Sequence, residues 1–261
     1  MNTSRSFDQA AKIYDKTRPL IEVTTDAGMR SIMDAAGPGA RFLEAGAGTG
    51  RISIPLLERG VDLVGCDLSA KMLRRQLEKY PAARLAQADA VYLPFPWGHF
   101  DAVLVVHVMH LIGPWREALR EFQRVLKPGG VFLNVSTYES VGRSVRGEMR
   151  DHWRGWLMSH GYEIRHPGAQ TEEEVRAELR SMKAGLREVE VVRFPHIYTL
   201  RIELDRYQDR VFSDTWSVPE ELYQASLADL REWVTQTYGD LEREIEETNR
   251  FVFDVAVLDA V

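Results

Sequence analysis

The chain has 261 residues, the length of one large α/β domain or of one domain with a sizeable insertion. Hydrophobic residues make up 44% and charged residues 28%, which excludes a disordered or fibrous chain. The net charge is −6, and the first 130 residues carry only 17 Lys and Arg against 14 Asp and Glu. Because phosphate-backbone binding requires a clear basic excess, this charge disfavours a nucleic-acid partner.

The cysteine content and the apolar stretches point to a cytoplasmic protein. The single cysteine, Cys66, excludes an intramolecular disulfide and a cysteine-based zinc cluster. The longest apolar stretch, residues 102–112, has 11 residues and contains two histidines, so it is too short to span a bilayer. The first 19 residues lack the apolar core of a secretory signal. We therefore expect a cytoplasmic location and no membrane span.

The predicted elements alternate between strands and helices after an N-terminal helical lid segment, residues 1–40. Short apolar runs predict strands at 41–45, 61–67, 83–88, 100–107 and 131–136, and helices at 51–59, 70–80 and 114–126. Strands separated by helices of this length predict a parallel, doubly wound sheet with right-handed crossovers. Residues 41–136 are therefore the expected core of a single domain.

The second half of the chain has a different pattern. We predict two helices within 143–184, a strand at 186–194, a long and mostly helical stretch at 196–247, and a strand at 251–258. The helical insertions 137–185 and 196–247 follow the core. Because loops at the carboxyl ends of such a sheet carry specificity, we expect these insertions to form a roof over a substrate.

Three glycines alternate in the stretch Glu44-Ala-Gly46-Ala-Gly48-Thr-Gly50, between the first predicted strand and helix. Glycine permits a positive φ and a close approach of the backbone to a ligand, and a helix start offers N–H donors. A dinucleotide fingerprint needs a small residue three places after Gly48, and Arg51 stands there instead. The loop therefore indicates a ligand site and counts against NAD or FAD.

Two further acids end the next strands. Asp67 ends the second strand, and Asp89, followed by Ala90, ends the third. Asp67 is placed to accept both ribose hydroxyls of a nucleoside, as the equivalent acid does in dinucleotide folds; helix capping or charge pairing is the alternative. Asp89 is placed to accept a hydrogen bond from an adenine amino group. With Glu44, these acids predict a nucleoside site at the carboxyl edge of the sheet.

The motif series resembles the class I S-adenosylmethionine-dependent methyltransferases, closest to the small-molecule branch of the ubiquinone/menaquinone and biotin-pathway enzymes. The residues that carry the resemblance lie in order within 41–136: Glu44 to Gly50, Asp67, Asp89-Ala90, Phe100-Asp101-x-Val103 and Leu126-Lys-Pro-Gly-Gly130. The resemblance implies a Rossmann-like, seven-stranded, mostly parallel sheet. Its terminal hairpin, 186–194 and 251–258, would contain the antiparallel edge strand.

The same resemblance implies S-adenosylmethionine as cofactor, S-adenosylhomocysteine as product, and no metal. It implies that the glycine loop lines the methionine part and ribose, that Asp67 holds the ribose hydroxyls, and that Leu68 packs on the adenine. The residues it assigns to cofactor binding are Glu44, Gly46, Ala47, Gly48, Gly50, Asp67, Leu68, Asp89, Ala90, Val106 and His107.

Three residues are candidates for catalysis: His110, His107 and Tyr14. A general base is useful when the acceptor is a hydroxyl or a protonated amine, and both histidines follow the fourth strand. Loop histidines also commonly satisfy backbone groups. Tyr14 lies in the segment 7–18, which resembles the segment that covers the ligand in this branch; a core tyrosine on an amphipathic helix is the alternative.

Aromatic and basic residues of the insertions indicate which kind of acceptor the protein could bind. Arg143, Arg146, Arg150 and Arg154 share one helical face, which suits an anionic acceptor or a solvated helix. Four tryptophans of the insertions favour an apolar or planar acceptor, although helical spacing is also typical of packing: Trp153, Trp156, Trp216 and Trp233.

The first hypothesis is an enzyme that methylates a small organic molecule, as a monomer or homodimer. The second is a regulatory protein that binds S-adenosylmethionine or its product without turnover. A transferase of the aminopropyl group is a third hypothesis, but the acidic residues that bind a polyamine are absent from 105–109.

Overall fold

The structure is a computed structural model that describes residues 22–135 and 139–258. The predicted N-terminal lid is therefore described only in its helix α1, Glu22–Ala36. Tyr14 and the rest of the segment 7–18 lie outside the described residues.

The core segment forms the predicted elements with small shifts at their ends, except that the fifth strand begins at Leu126 rather than at the predicted residue 131. Its strands are β1 (Arg41–Ala45), β2 (Asp62–Asp67), β3 (Arg84–Gln87), β4 (Phe100–Val106) and β5 (Leu126–Val135). Its helices are α2 (Ser53–Glu58), α3 (Ala70–Lys79) and α4 (Trp115–Val125), and a 3₁₀ turn spans Met109–Leu111. Ser69 caps α3, because its Oγ accepts a hydrogen bond of 3.1 Å from the backbone N–H of Met72.

The remaining elements are β6 (Glu139–Ser140), α5 (Val145–Ser159), α6 (Glu172–Ser181), β7 (Gly185–Thr199), α7 (Leu200–Gln208), a 3₁₀ turn (Ser213–Ser217), α8 (Glu220–Tyr238) and β8 (Glu244–Val257). The two predicted helices of 143–184 are thus present. The predicted helical stretch 196–247 is wrong at both ends, where the chain is strand. The first seven residues of β8, 244–250, precede the predicted strand, and their inward face includes the polar Asn249, so a hydrophobic pattern does not show the alternation there.

The sheet contains the seven predicted strands and the two-residue β6, in the order β3-β2-β1-β4-β5-β8-β6, with β7 paired to β8. The first five strands are parallel, with Glu44 of β1 opposite Gly65 of β2 and Leu104 of β4. Strand β8 runs antiparallel to β5. In the strand order β8 lies between β5 and β6 and also pairs with β7, so the two strands of the predicted terminal hairpin are neighbours in the sheet. Every residue from Phe251 to Ala256 is buried, as in an interior strand.

The chain divides into two compact units. The first unit contains the described residues before 136, Pro167–Val192 and the residues from Phe251 onward. The second contains the described part of 138–166 and Arg193–Arg250. Helix α6 of the first insertion therefore belongs to the first unit, and the role of the insertions as a substrate roof stays a prediction.

Each unit has its own apolar core. In the first unit, side chains of β4 and α4 pack together, among them Phe100, Val103, Leu119 and Phe122, which are fully buried. In the second unit, α5 and α8 contribute Trp153, Tyr223 and Leu230.

Candidate functional site

The candidate site lies in the first unit, at the carboxyl ends of the parallel strands. The loop 46–50 follows β1, Asp67 ends β2, Asp89 follows β3, and His107 follows β4. Parallel strands place these ends at one edge of the sheet, where open α/β sheets bind ligands. The sequence prediction of this edge and the structure therefore agree on which elements carry the candidate residues.

The three glycines of the loop have positive φ angles, 82° at Gly46, 58° at Gly48 and 86° at Gly50. A Cβ at Gly46 would lie 2.7 Å from Val108, and one at Gly50 would lie 2.7 Å from Gln76. A Cβ at Gly48 would meet nothing closer than 3.7 Å. Packing within the protein thus requires two of the glycines, whereas a Cβ at Gly48 would make only ordinary contacts and its positive φ alone favours glycine.

Backbone hydrogen bonds hold this loop against β2. The N–H groups of Gly46 and Ala47 both donate to the carbonyl of Cys66, at 2.8 and 2.9 Å. The N–H of Gly48 donates to Asp67 Oδ2 at 2.9 Å, and the N–H of Ser69 donates to Asp67 Oδ1 at 2.8 Å. A carboxylate oxygen can accept more than one hydrogen bond, so Asp67 can order the loop and accept a ligand hydroxyl at the same time.

Glu44 lies behind the loop and is only 2% exposed. Ser53, the first residue of α2, donates its hydroxyl to Glu44 Oε2. Burial raises the pKa of Glu44 to about 8, although the Ser53 hydrogen bond and the charge of Arg51 act in the opposite direction. At neutral pH most molecules therefore carry a protonated carboxyl group here, which can donate as well as accept a hydrogen bond.

The predicted adenine residues form a turn after β3. Asp89 and Ala90 are half-buried, and Asp89 Oδ1 accepts a hydrogen bond of 3.2 Å from the N–H of Val91. The carbonyl of Asp89 accepts another from Tyr92 at 3.0 Å. Leu68, between β2 and α3, is also half-buried. Their contacts with an adenine stay a prediction.

Both predicted histidines lie on the segment after β4. Val106 is buried at the end of that strand, whereas His107 is exposed and has a positive φ of 52°. His110 is half-buried within the 3₁₀ turn. A positive φ is uncommon for a residue with a side chain and marks a backbone held by its surroundings.

A second segment of the first unit, which sequence reasoning missed, holds this turn. The N–H of Gly168 donates to the carbonyl of His110 at 3.0 Å, and the N–H of Ala169 donates to that of Met109 at 3.2 Å. A Cβ at Gly168 would lie 2.2 Å from the Met109 carbonyl oxygen. The sequence shows Gly168 only as part of a helix break, so its contact with the histidine segment has no local signal.

The arginines and tryptophans of α5 pack within the second unit. Arg154 pairs with Asp214, and Arg146 with Glu203 at 3.0 Å, so the arginine face is not simply solvated. Trp153 is 1% exposed and donates its ring N–H to Ser226 at 2.9 Å, which is the role in packing that its helical spacing indicated.

Two properties of the described residues concern metals and membranes. Within residues 22–135 and 139–258, no three His, Cys, Asp or Glu side chains form a group that could hold a metal ion. Over the same part of the chain, no helix is both long enough and apolar enough to cross a membrane.

The core of the first unit is similar in sequence to known methyltransferases. Residues 43–134 match the family described as a methyltransferase domain. The chain is 38% identical over 127 residues to the demethylmenaquinone methyltransferase of Beutenbergia cavernae, covering 48% of this chain and 53% of that protein. It is 36% identical over 133 residues to the enzyme of the same name from Thermus thermophilus, covering 48% and 60%. The matches thus span about half the length of these relatives.

Solved structures share the fold. The YcgJ protein of Bacillus subtilis has a TM-score of 0.59 and 18% identity, with 92% of this chain and 100% of that chain covered. A phosphoethanolamine N-methyltransferase of Haemonchus contortus in complex with S-adenosyl-L-methionine has a TM-score of 0.55 and 18% identity, with 97% of this chain and 57% of that chain covered. At these identities the likeness concerns the fold alone.

Proposed function

We propose that this protein, whose residues 43–134 match a methyltransferase domain, is a class I S-adenosylmethionine-dependent methyltransferase that transfers a methyl group to a small organic molecule. S-adenosylmethionine is the cofactor, S-adenosylhomocysteine is the product, and no metal takes part. Relatives named for the methylation of demethylmenaquinone support a small-molecule acceptor.

The observation that carries this proposal is the arrangement of Asp67 and Gly48. The Asp67 carboxylate is oriented by two backbone N–H groups, and one of them belongs to Gly48 of the glycine loop. A fixed carboxylate beside a glycine-rich loop at the edge of the sheet fits the ribose and the adjoining chain of the cofactor. Asp89, Ala90 and Leu68 would contact the adenine, and Gly46, Ala47 and Gly50 would shape the loop.

Residues of the chain would bind and orient the cofactor and the acceptor, and they would exclude water from the reacting atoms. The cofactor supplies a methyl group on a positively charged sulfur, so the carbon–sulfur bond breaks with its electron pair left on sulfur while the acceptor bonds to carbon. A protein accelerates such a displacement mainly by aligning the reacting atoms and excluding water. Glu44, Val106 and His107 would lie near the amino end of the cofactor, and His110 or His107 would take the proton of a hydroxyl or amine acceptor.

The remaining parts of the proposal rest on composition. The net charge of −6 supports a protein without a nucleic-acid partner. The single cysteine, buried as Cys66, supports a cytoplasmic location. A monomer or homodimer is expected. Tyr14 stays a candidate for covering the methyl group, outside the described residues.

The proposal is tested by titration calorimetry with S-adenosylhomocysteine. Replacing Asp67 with Ala removes charge-assisted hydrogen bonds, so we expect affinity to fall by about 2–3 kcal/mol. Asp62→Ala is the matched control, because Asp62 lies at the opposite end of the same strand and is 48% exposed in its ion pair with Arg84. Unchanged affinity of the Asp67 variant would refute its ribose role.

Binding alone does not establish turnover, so a second experiment follows the methyl group. The protein is incubated with methyl-labelled cofactor and a metabolite extract, and a labelled small molecule is the expected result. Binding of the cofactor with no labelled product in any fraction would favour the regulatory alternative.

A further inference from the structure

The segment 91–97 of the first unit joins the turn after β3 to strand β4 and lies outside helix and strand. It contains Pro94 and Pro96, which have no N–H group to donate. Val91 and Leu93 are nevertheless 8% and 5% exposed, and their side chains belong to the apolar core. Because buried backbone groups need hydrogen-bond partners, those of this segment must find them outside regular structure.

Two side chains of α4 supply these partners. Glu121 Oε1 accepts a hydrogen bond of 2.8 Å from the N–H of Leu93. Arg124 donates from Nη2 to the carbonyl of Leu93 at 3.1 Å and from Nη1 to the carbonyl of Phe95 at 2.9 Å. Both main-chain polar groups of Leu93 are therefore held by the same helix.

Glu121 and Arg124 also hold each other. Arg124 donates from Nε and Nη2 to the two oxygens of Glu121, each at 2.7 Å, which is the bidentate geometry of a strong ion pair. The two side chains are only 15% and 19% exposed. Hydrogen bonding to Arg124 holds the pKa of Glu121 below its usual value, so this carboxylate is ionised at neutral pH. The planar guanidinium fixes the geometry of the pair, which makes it a rigid support for the segment.

The supported residue, Leu93, lies four positions after Asp89, the acid predicted to meet the adenine. The chain between them is a tight turn, in which Asp89 Oδ1 accepts a hydrogen bond of 3.2 Å from the N–H of Val91. The Asp89 carbonyl accepts another, of 3.0 Å, from the N–H of Tyr92. With both ends of so short a stretch tied, a displacement of Leu93 would also displace the Asp89 carboxylate.

We propose that Glu121 and Arg124 are positioning residues of the adenine subsite, which hold the turn 89–93 so that Asp89 can accept a hydrogen bond from the adenine amino group. They act through the backbone of Leu93. The inference rests on the proposed function, which places the adenine at Asp89. It assigns selectivity for the base to a pair on helix α4, an element that carries none of the candidate site residues.

The test compares two ligands that differ in the base, S-adenosylhomocysteine and S-inosylhomocysteine. A carbonyl oxygen replaces the amino group in the inosyl compound, so the Asp89 carboxylate meets an acceptor instead of a donor. Titration calorimetry with the full chain should give the adenosyl compound an affinity at least about tenfold higher, because a hydrogen bond to a charged group is lost in the other ligand. Asp89→Ala should abolish this preference.

Glu121→Ala removes the acceptor for the N–H of Leu93. We expect the preference for the adenosyl compound to fall at least about threefold, with the affinity for the inosyl compound changed by less than about twofold. A general loss of structure would weaken both ligands equally. Glu117→Ala is the matched control, because Glu117 is exposed one turn earlier on the same helix and should leave the preference intact.

Arg124→Lys is the second variant, for the case that Glu121→Ala does not fold. Lysine keeps the positive charge beside Glu121, but a single ammonium group does not reproduce the planar fork that reaches the carboxylate and two carbonyls together. We expect a preference between those of the wild type and of Glu121→Ala. Thermal melting of each variant establishes that it is folded.

Full preference in the folded variants would overturn the positioning role, as would an equal loss of affinity for both ligands. If Asp89→Ala abolishes the preference and the Glu121 and Arg124 variants keep it, only the positioning role is rejected and the proposed function stands. A wild-type protein that binds neither ligand rejects the proposed function and this inference with it. A preference that survives in Asp89→Ala rejects the adenine assignment of Asp89, and hence the role of the pair, while cofactor binding itself stands.

Discussion

At the residue scale, two carboxylates of the candidate site behave differently because of their surroundings. Glu44 is the second-last residue of β1, and Asp67 is the last residue of the neighbouring strand β2. Glu44 is 2% exposed with one hydroxyl donor, whereas Asp67 is half-buried and receives two backbone N–H groups. The sequence predicted both as ligand-side acids, and it contained no sign that one of them is kept protonated by burial.

Glu44 therefore makes stability depend on pH. Its pKa in the folded protein is about 8, against an ordinary value of 4.5. The stability that this group contributes is complete below pH 4.5 and is lost as the pH rises through 8, by of order 1 kcal/mol per pH unit between the two values. Glu44→Gln removes this dependence. Urea unfolding at several pH values should show that the free energy of unfolding of the variant rises relative to that of the wild type as the pH increases. Parallel curves of this free energy against pH would contradict the burial effect.

The glycines of the loop lead to a second prediction at this scale. Gly46→Ala should cost about 1–3 kcal/mol more stability than Gly48→Ala, because both have a positive φ but only Gly46 lies against Val108. The free energies of unfolding in urea measure this difference. Adding Val108→Ala to the Gly46 variant should recover part of the loss. If the two single variants cost the same, the packing against Val108 is not what requires Gly46.

At the element scale, the histidine segment depends on a part of the chain far away in sequence. The 3₁₀ turn Met109–Leu111 is held by backbone bonds from Gly168 and Ala169. Periodicity predicted β4 and α4 on either side of this turn, because both elements have regular apolar patterns. The turn itself has no such pattern, so its conformation is set by what packs against it.

Gly168→Ala should therefore destabilise the protein, by more than about 2 kcal/mol, since the added Cβ would lie 2.2 Å from a carbonyl oxygen. Gly155→Ala is the matched control. Gly155 lies within helix α5 with nothing near its Cβ position, so the alanine should be neutral or stabilising by up to about 1 kcal/mol. Thermal and urea unfolding compare the two variants. If Gly168→Ala left the free energy of unfolding unchanged, the turn would be able to adjust to the added Cβ without loss of stability.

At the scale of the whole molecule, the chain forms two compact units. The residues proposed to bind the cofactor all lie in the first unit, with its own apolar core. The cofactor should thus protect amide hydrogens chiefly in the first unit.

Amide hydrogen exchange with S-adenosylhomocysteine tests this assignment. We expect slower exchange at residues 44–50 and 67–69, because these backbone groups order the loop or face the ligand. Peptides from α3, which starts just after Asp67 but faces the core through Met72 and Leu73, are the internal control. Unchanged exchange at 44–50 in the presence of saturating ligand would place the cofactor elsewhere.

The sequence alone determined the features that depend on neighbouring residues. The strand and helix patterns of 41–136, the cap at Ser69 and the glycines with positive φ follow from local conformational preferences, and the family resemblance follows from their spacing. The order of the parallel strands then brings Glu44, Asp67 and Asp89 to one edge.

Only the tertiary structure decided the features that depend on distant contacts. The burial of Glu44 and the packing of Gly168 on the histidine turn each depend on residues far apart in the chain. The sequence pattern also did not predict the full extent of β7 and β8, because polar residues such as Asn249 occupy inward positions. Burial and pairing are properties of the folded chain, and residue type at one position does not specify them.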